Sequence, residues 1–531
     1  MKMSKLRKLE EMVTNGKISR REFITRMSAL GLAAAISPAF LANHAHAATP
    51  IKGGVLRIAC TGGSTTDSLD PGTLTSQYNQ FLNFQMRNCL VEIDHKSNAI
   101  PELAESWEPS PDAVKWTFKL RKGVEFHNGK TFAANDVVYT MNHHRGADSK
   151  SGAKGLLDPV KEIKADGKDT IVFTLKGGNA DFPYILADYH LTIFPEGTIG
   201  PEFEKGIGTG GYVLKSWEPG VRARTIRNPN YWKEGRAHFD EVQTLSIVDT
   251  NARTNALKTG QIDVMDRPDL KTVHLFKKLK DIQIISKTSG SHSTIPMLFN
   301  TKPYDNNDVR LGLKYALNRE EQVKKVLLGY GSVGNDHPIA PNLKYHAAEL
   351  PQRTYDPDKA KYHMKKAGML DHTFKLHAAE GAFAGAVDSA LLYQQSAAKA
   401  GIKIDVVQEP SDGYWSNVWM KKPWSMSYWS ARPTVDLMFT TAYAEDANWN
   451  ETFWKNGQFN KLLISARAEL DDKKRGEMYY EMQKIASDQG ATVVPFFSNI
   501  VVAANKKLGY ENFGAGLDLD DARGHERWWY K

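Results

Sequence analysis

The 531-residue chain has little cysteine: only Cys60 and Cys89 occur. That excludes a disulfide-built scaffold and any cysteine-rich zinc or iron–sulfur centre. Long apolar runs are missing too. The longest, Met27 to Leu41, is about 15 residues, short of the roughly 18–20 that cross a bilayer. Motifs that carry chemistry are also absent: there is no Walker loop, no G-x-S-x-G nucleophile elbow and no H-E-x-x-H. His143-His144 has no further ligand at metal spacing and reads as a solvated pair on a helix. Finally, the chain lacks a real charge excess. Formal net charge is +8, but Lys/Arg outnumber Asp/Glu eight to three up to Ala47, leaving 61 basic and 58 acidic residues beyond it. Without a basic stripe, nucleic acid is not an expected partner.

The excess at the N-terminus has its own reading. Arg20-Arg21 stand just before the apolar run, and Ala45-His46-Ala47 follows it as a small-x-small cleavage site. This layout is that of a secretory signal of the twin-arginine type, residues 1–47, cleaved near Ala47. It places the mature chain in the periplasm. That compartment permits a Cys60–Cys89 disulfide, but a chain folded before export can equally keep two buried thiols.

The remaining length divides into two or three substructures. Gly54–Ala59 reads as a strand, and Thr61–Asp67 as a Gly/Ser/Thr loop suited to meeting a ligand with backbone amides, Ser64 and Thr65 at its centre. Trp116, Phe118 and Leu120, then Ile171, Phe173 and Leu175, alternate with polar residues as half-buried strands. Thr131 to Met141 between them reads as a helix, so about 89–207 forms one α+β unit. From Leu245 onward strands and helices alternate, which points to α/β layering. Asp308 and Asn318 read as helix caps, and Phe459 to Ser487 as a long helical region. Gly206-Ile207-Gly208-Thr209-Gly210-Gly211 matches G-x-G-x-x-G, but a strand rather than a helix follows it. It therefore reads as a Gly-rich crossing, not a nucleotide site.

Several ordered blocks resemble one known family. They are Pro101–Glu108, Trp116–Arg121, Phe126–Val137, Gly208–Tyr212, Asn228–Trp232 and Asn300–Arg310 running into Ala316–Arg319. Together they resemble the large solute-binding proteins of ABC importers, the peptide- and nickel-binding family. The resemblance implies an α/β, two-lobed periplasmic-binding-protein fold with an extra α+β subdomain on the first lobe. The first lobe would comprise 48–88, 208–290 and 501–531, with 89–207 as the extra subdomain; the second would be 291–500. It further implies a monomer that closes on a small molecule or short peptide and delivers it to a membrane permease and its ATPase, without catalysis and without a cofactor.

Six of the twelve tryptophans fall in one stretch: Trp415, Trp419, Trp424, Trp429, Trp449 and Trp454. Aromatic walls suit small-molecule sites, although most of these rings are expected in the core. Tyr428–Asp436 resembles the family's ligand loop, in which a Gly-Trp pair precedes an Asp by three residues. In peptide binders that Asp takes the ligand's α-ammonium. Counted from Trp429, the position here is Arg432, so the sign is inverted. An arginine fork holds carboxylate oxygens. The expected ligand thus carries an acidic group at Arg432, as in an acidic peptide or an opine-like conjugate, with Trp429, Tyr428, Asp436, Ser64, Thr65 and Trp415 around it. An internal Arg432–Asp436 pair is the alternative. Competing functions are a sugar or sugar-acid binder of the same fold, an exported hydrolase, and a chaperone or signalling receptor.

Overall fold

Leu56 and Ile58 turn inward between half-buried Val55 and Arg57, and this alternation sets the Val55–Cys60 strand at the centre of the first lobe. A computed structural model describes residues 50–531 apart from 75 and 411–413. The Arg20-Arg21 leader and its cleavage site lie outside the described residues. Val55–Cys60 pairs in parallel with Glu241–Ser246 on one side and Val264–Asp266 on the other. It belongs to a ten-stranded sheet that continues through Phe496–Asn505 and Ile282–Pro296 to Ser427–Trp429. Leu56, Ile58, Tyr78, Phe81, Phe239, Val502 and Trp528 form the core beneath it.

Two strands are long enough to serve both lobes. Ile282–Pro296 pairs with Phe496–Asn505 in register from Ile282 to Thr288, then loses register and resumes at His292. Beyond that irregularity, the same strand pairs with Ser427–Trp429 and Thr492–Val493. A break in register within a shared strand is where one lobe can bend relative to the other.

The second lobe has its own cores. One gathers Leu313, Tyr393 and Trp424 around the parallel pair Thr373–Ala378 and Lys403–Gln408. The other gathers Trp429, Phe439, Trp454 and Tyr479. The helical region expected over Phe459–Ser487 consists of two helices, Gly457–Ala468 and Asp472–Gln489. Asp471 caps the second helix by accepting the Lys474 N–H. The cap before the Asn307–Ala316 helix is Asn306 rather than Asp308, which falls in the first turn. Asn318 caps Arg319–Lys325 through the Glu321 N–H, as its spacing implies.

The extra subdomain is a four-stranded antiparallel sheet, Ala104–Pro109, Lys115–Leu120, Thr170–Leu175 and Val160–Ala165. Its core holds Trp116, Phe118, Phe173 and Phe182. The Gly-rich run packs against the end of the Gln77–Met86 helix. A Cβ on Gly208 would stand 2.2 Å from the Met86 carbonyl oxygen, and one on Gly210 would stand 2.4 Å from that of Gln85. Close backbone approach explains these glycines.

His143-His144 is not the solvated pair expected. His143 Nε2 lies 2.8 Å from Asp70, and His144 is buried, its imidazole pushed down to about 3 by burial. Cys60 and Cys89 are both buried free thiols, held protonated chiefly by desolvation.

Candidate functional site

The segment that carries Arg432 sits on the register break. Trp429, last residue of Ser427–Trp429, lies opposite His292. The next residues turn back over the break: the Ala431 N–H donates to Ser291 Oγ at 3.3 Å. Gly290 makes this close seating possible, because a Cβ there would meet the Ala431 Cβ at 3.1 Å. Thr434 then caps the Val435–Ala442 helix by accepting the Leu437 N–H.

Arg432 projects from this loop with its guanidinium 6.0 Å over the Trp429 ring. Its Nη1 donates to the carbonyls of Ser430 and Ala431, each at 3.2 Å. Among the described residues it has no carboxylate within ion-pair distance. Burial lowers its basicity, while Asp188 and Tyr189 of the extra subdomain act on it in the opposite direction. Its two hydrogen bonds among the described residues go to carbonyls of its own loop and leave guanidinium donors to spare.

Asp436 does not pair with Arg432. It is buried in the first turn of its helix and accepts from Arg467 Nε at 3.1 and 3.2 Å. Burial outweighs that partner and pushes its carboxyl up to about 6. The residue holds the base of the loop rather than offering a free acid beside the arginine.

The tryptophan cluster divides. Trp424, Trp429 and Trp454 are buried, whereas Trp415 and Trp449 are 40% and 50% exposed. Trp415 and Tyr428 form an exposed edge-to-face pair with centroids 5.6 Å apart, and Trp419 continues it at 5.7 Å. Glu451, which sequence reasoning missed, sits behind this wall. It accepts from Thr294 Oγ1 at 2.7 Å, Trp419 Nε1 at 2.7 Å and Trp429 Nε1 at 3.0 Å. Its burial raises the carboxyl above the usual range despite those donors. No spacing marks Glu451 in the sequence; only an acid within a Trp-rich stretch hints at it.

Ser64 and Thr65 are exposed on the loop after Val55–Cys60. The loop is self-capped: the Ser64 N–H donates to Asp67 Oδ2 at 2.8 Å, and Ser64 Oγ lies 2.9 Å from Thr66 Oγ1. Among the described residues no group of three or more His, Cys, Asp or Glu side chains has the geometry to hold a metal.

An aromatic wall and an arginine with no carboxylate partner among the described residues thus lie close to the register break in the main sheet. The family model for bacterial extracellular solute-binding proteins, family 5, matches residues 98–451, two-thirds of the chain. The chain belongs to that family. It is a transport binding protein, not an enzyme; members of its family act outside the cytoplasm and partner an ABC permease and its ATPase. Among curated relatives, the glutathione-binding protein GsiB of Pectobacterium atrosepticum is 26% identical over 492 residues, covering 90% of this chain and 94% of its own. The oligopeptide-binding protein AppA of Bacillus subtilis is 27% identical over 477 residues, covering 83% and 85%. Among solved structures, the periplasmic binding protein DppA of Helicobacter pylori, in complex with the peptide STSA, superposes with a TM-score of 0.71. It is 25% identical and covers 90% of this chain and 98% of its own.

Proposed function

We propose that this family 5 receptor captures peptides or peptide-like, amino-acid-derived solutes bearing an acidic group, and that Arg432 holds that group. The observation that carries the reading is the state of Arg432: it follows the strand paired beside the register break of Ile282–Pro296 and, among the described residues, hydrogen-bonds only to carbonyls of its own loop. A ligand carboxylate would supply the bidentate partner that the protein does not. Trp415 and Tyr428 would lie against the ligand's apolar part, with Ser64 and Thr65 closing from the first lobe. Trp429 and Asp436 would act from beneath, by fixing the loop. The relatives that bind glutathione and oligopeptides support this class of solute.

In this reading the first lobe is 48–88, 208–290 and 501–531 with 89–207 attached, and the second is 291–500. The chain crosses the membrane by the twin-arginine route and works as a monomer. Isothermal titration of the wild type and Arg432→Ala against a panel of peptides and amino-acid conjugates, each with its amidated form, tests the site. Loss of affinity for the acids alone is expected. Unchanged affinity in Arg432→Ala removes Arg432 from the site.

A further inference from the structure

Three donors from three separate segments converge on the Glu451 carboxylate: Thr294 lies on Ile282–Pro296, Trp419 just past the Tyr414–Asn417 helix, and Trp429 at the end of Ser427–Trp429. Oε1 accepts from Thr294 Oγ1 at 2.7 Å and from Trp429 Nε1 at 3.0 Å. Oε2 accepts from Trp419 Nε1 at 2.7 Å. Glu451 is 3% exposed and Thr294 1%, so bulk solvent does not compete for these bonds.

The acid stands on a fixed platform. Asn450, buried beside it, donates to the Ala444 and Trp454 carbonyls and accepts from Thr452 Oγ1 at 3.0 Å. The Phe299 N–H donates to the Thr452 carbonyl at 2.8 Å, which ties the turn to the residues just after Ile282–Pro296. Buried hydrogen-bonded networks of this kind rigidify what they hold.

What this network holds is the back of the exposed wall. Trp419 lies edge-to-face against Trp415, and Trp415 against Tyr428. Trp415 and Tyr428 are exposed and do not touch Glu451; its hold reaches them through Trp419. On the other side, Trp429 lies under the Arg432 guanidinium. Thr294 anchors the whole to the strand that carries the register break, two residues past His292, where pairing resumes.

The junction requires a carboxylate. An ionised Glu only accepts, with lone pairs on both oxygens, and an indole N–H only donates. An amide at this position has a single accepting oxygen. Turned toward Thr294 and Trp429, it sets its NH2 against the Trp419 N–H and leaves that donor unpaired. Turned the other way, it leaves Trp429 unpaired.

We propose that Glu451 is a positioning residue for ligand capture: it fixes Trp419 against Trp415, and so sets the Trp415–Tyr428 wall at the angle that meets the ligand's apolar side chain. This rests on the reading that the wall lies against the ligand while Arg432 takes its acid. The two residues then divide the work. Arg432 selects by charge, and Glu451, through the wall, selects by side chain.

The test titrates two acidic peptides, Gly-Phe-Glu and Gly-Ala-Glu, into the mature chain. The wild type is expected to favour Gly-Phe-Glu by about tenfold, the scale of one well-set aromatic contact. Glu451→Gln should cut that preference to about twofold or less. Arg432→Ala should weaken both peptides and keep the preference. Adding Trp419→Phe to Glu451→Gln removes the unpaired donor, so thermal stability should recover while the preference does not, because a phenyl ring has no N–H to hold it. Recovery of both assigns Glu451 a structural role alone and overturns the proposal. In the ligand-free protein, the Trp419 indole N–H resonance, assigned by its loss in Trp419→Phe, should move in Glu451→Gln. A resonance that stays, equal wild-type affinities, or a preference that survives Glu451→Gln also overturns it. If neither peptide binds while other acidic peptides do, the wall assignment falls and capture at Arg432 stands. Binding of no peptide or conjugate overturns both.

Discussion

A buried ion pair among the described residues ties the segment before the Phe182–Ile185 helix to the Asp472–Gln489 helix, and removing one side of it should be costly in a measurable way. Arg475 of Asp472–Gln489 meets Asp181, just before the Phe182–Ile185 helix, at 2.8 Å with side chains 7% and 8% exposed. Arg475 also donates to the Ala466 carbonyl and to Tyr479 Oη, and the Ala180 N–H donates to the Arg467 carbonyl at 2.7 Å across the same seam. Arg475→Met leaves the Asp181 carboxylate buried without its partner, at about 3–5 kcal/mol. Replacing both, Asp181→Leu with Arg475→Met, removes the charges together and should cost far less. Urea unfolding of the four proteins closes a double-mutant cycle, with an expected coupling of about 2 kcal/mol or more. A coupling below about 0.5 kcal/mol, the level at which independent sites add, would refute the reasoning. The contact would then be incidental to how the lobes are held.

Three further outcomes follow from the geometry. Asp436 is held near 6 by burial, so the folded chain bears the cost of its charge above that pH and sheds it as pH falls toward the usual range of about 4. Wild-type stability relative to Asp436→Asn should rise by roughly 3 kcal/mol across that window, read by denaturant titration at stepped pH. Trp429→Phe removes one donor from the buried Glu451 and should destabilise by about 1.5–3 kcal/mol, with a smaller loss in a Glu451→Gln background, measured by thermal unfolding. Gly208→Ala drives a Cβ into the Met86 carbonyl and should cost about 2 kcal/mol or more, whereas Gly155→Ala, with open space around it, should stay within about 0.5 kcal/mol.

Much of the architecture was legible because it depends on local pattern. Period-two alternation at Trp116–Leu120 and Ile171–Leu175 names strands whatever surrounds them, and both stand in one sheet. Asn318 caps its helix through a contact three residues away, so its role is readable from spacing. The helical region read over Phe459–Ser487 holds two helices, divided where Asp471 caps the second within a polar run. His143-His144 failed for a non-local reason, since Asp70, which takes His143, is 73 residues away in the chain.

The sequence by itself determined the family, through ordered blocks spread over the chain, and singled out Arg432 beside Trp429 in a tryptophan-rich stretch. Both are properties of residue order. Tertiary structure decided which acid each arginine meets. Asp436, four residues from Arg432, turns on a helix to Arg467, while Arg267 finds Asp518 from 251 residues away. Charge pairing within a few ångströms depends on where the folded backbone brings chain ends together, and separation along the sequence carries no record of it. The same holds for Glu451, whose indole and hydroxyl partners arrive from three separate segments.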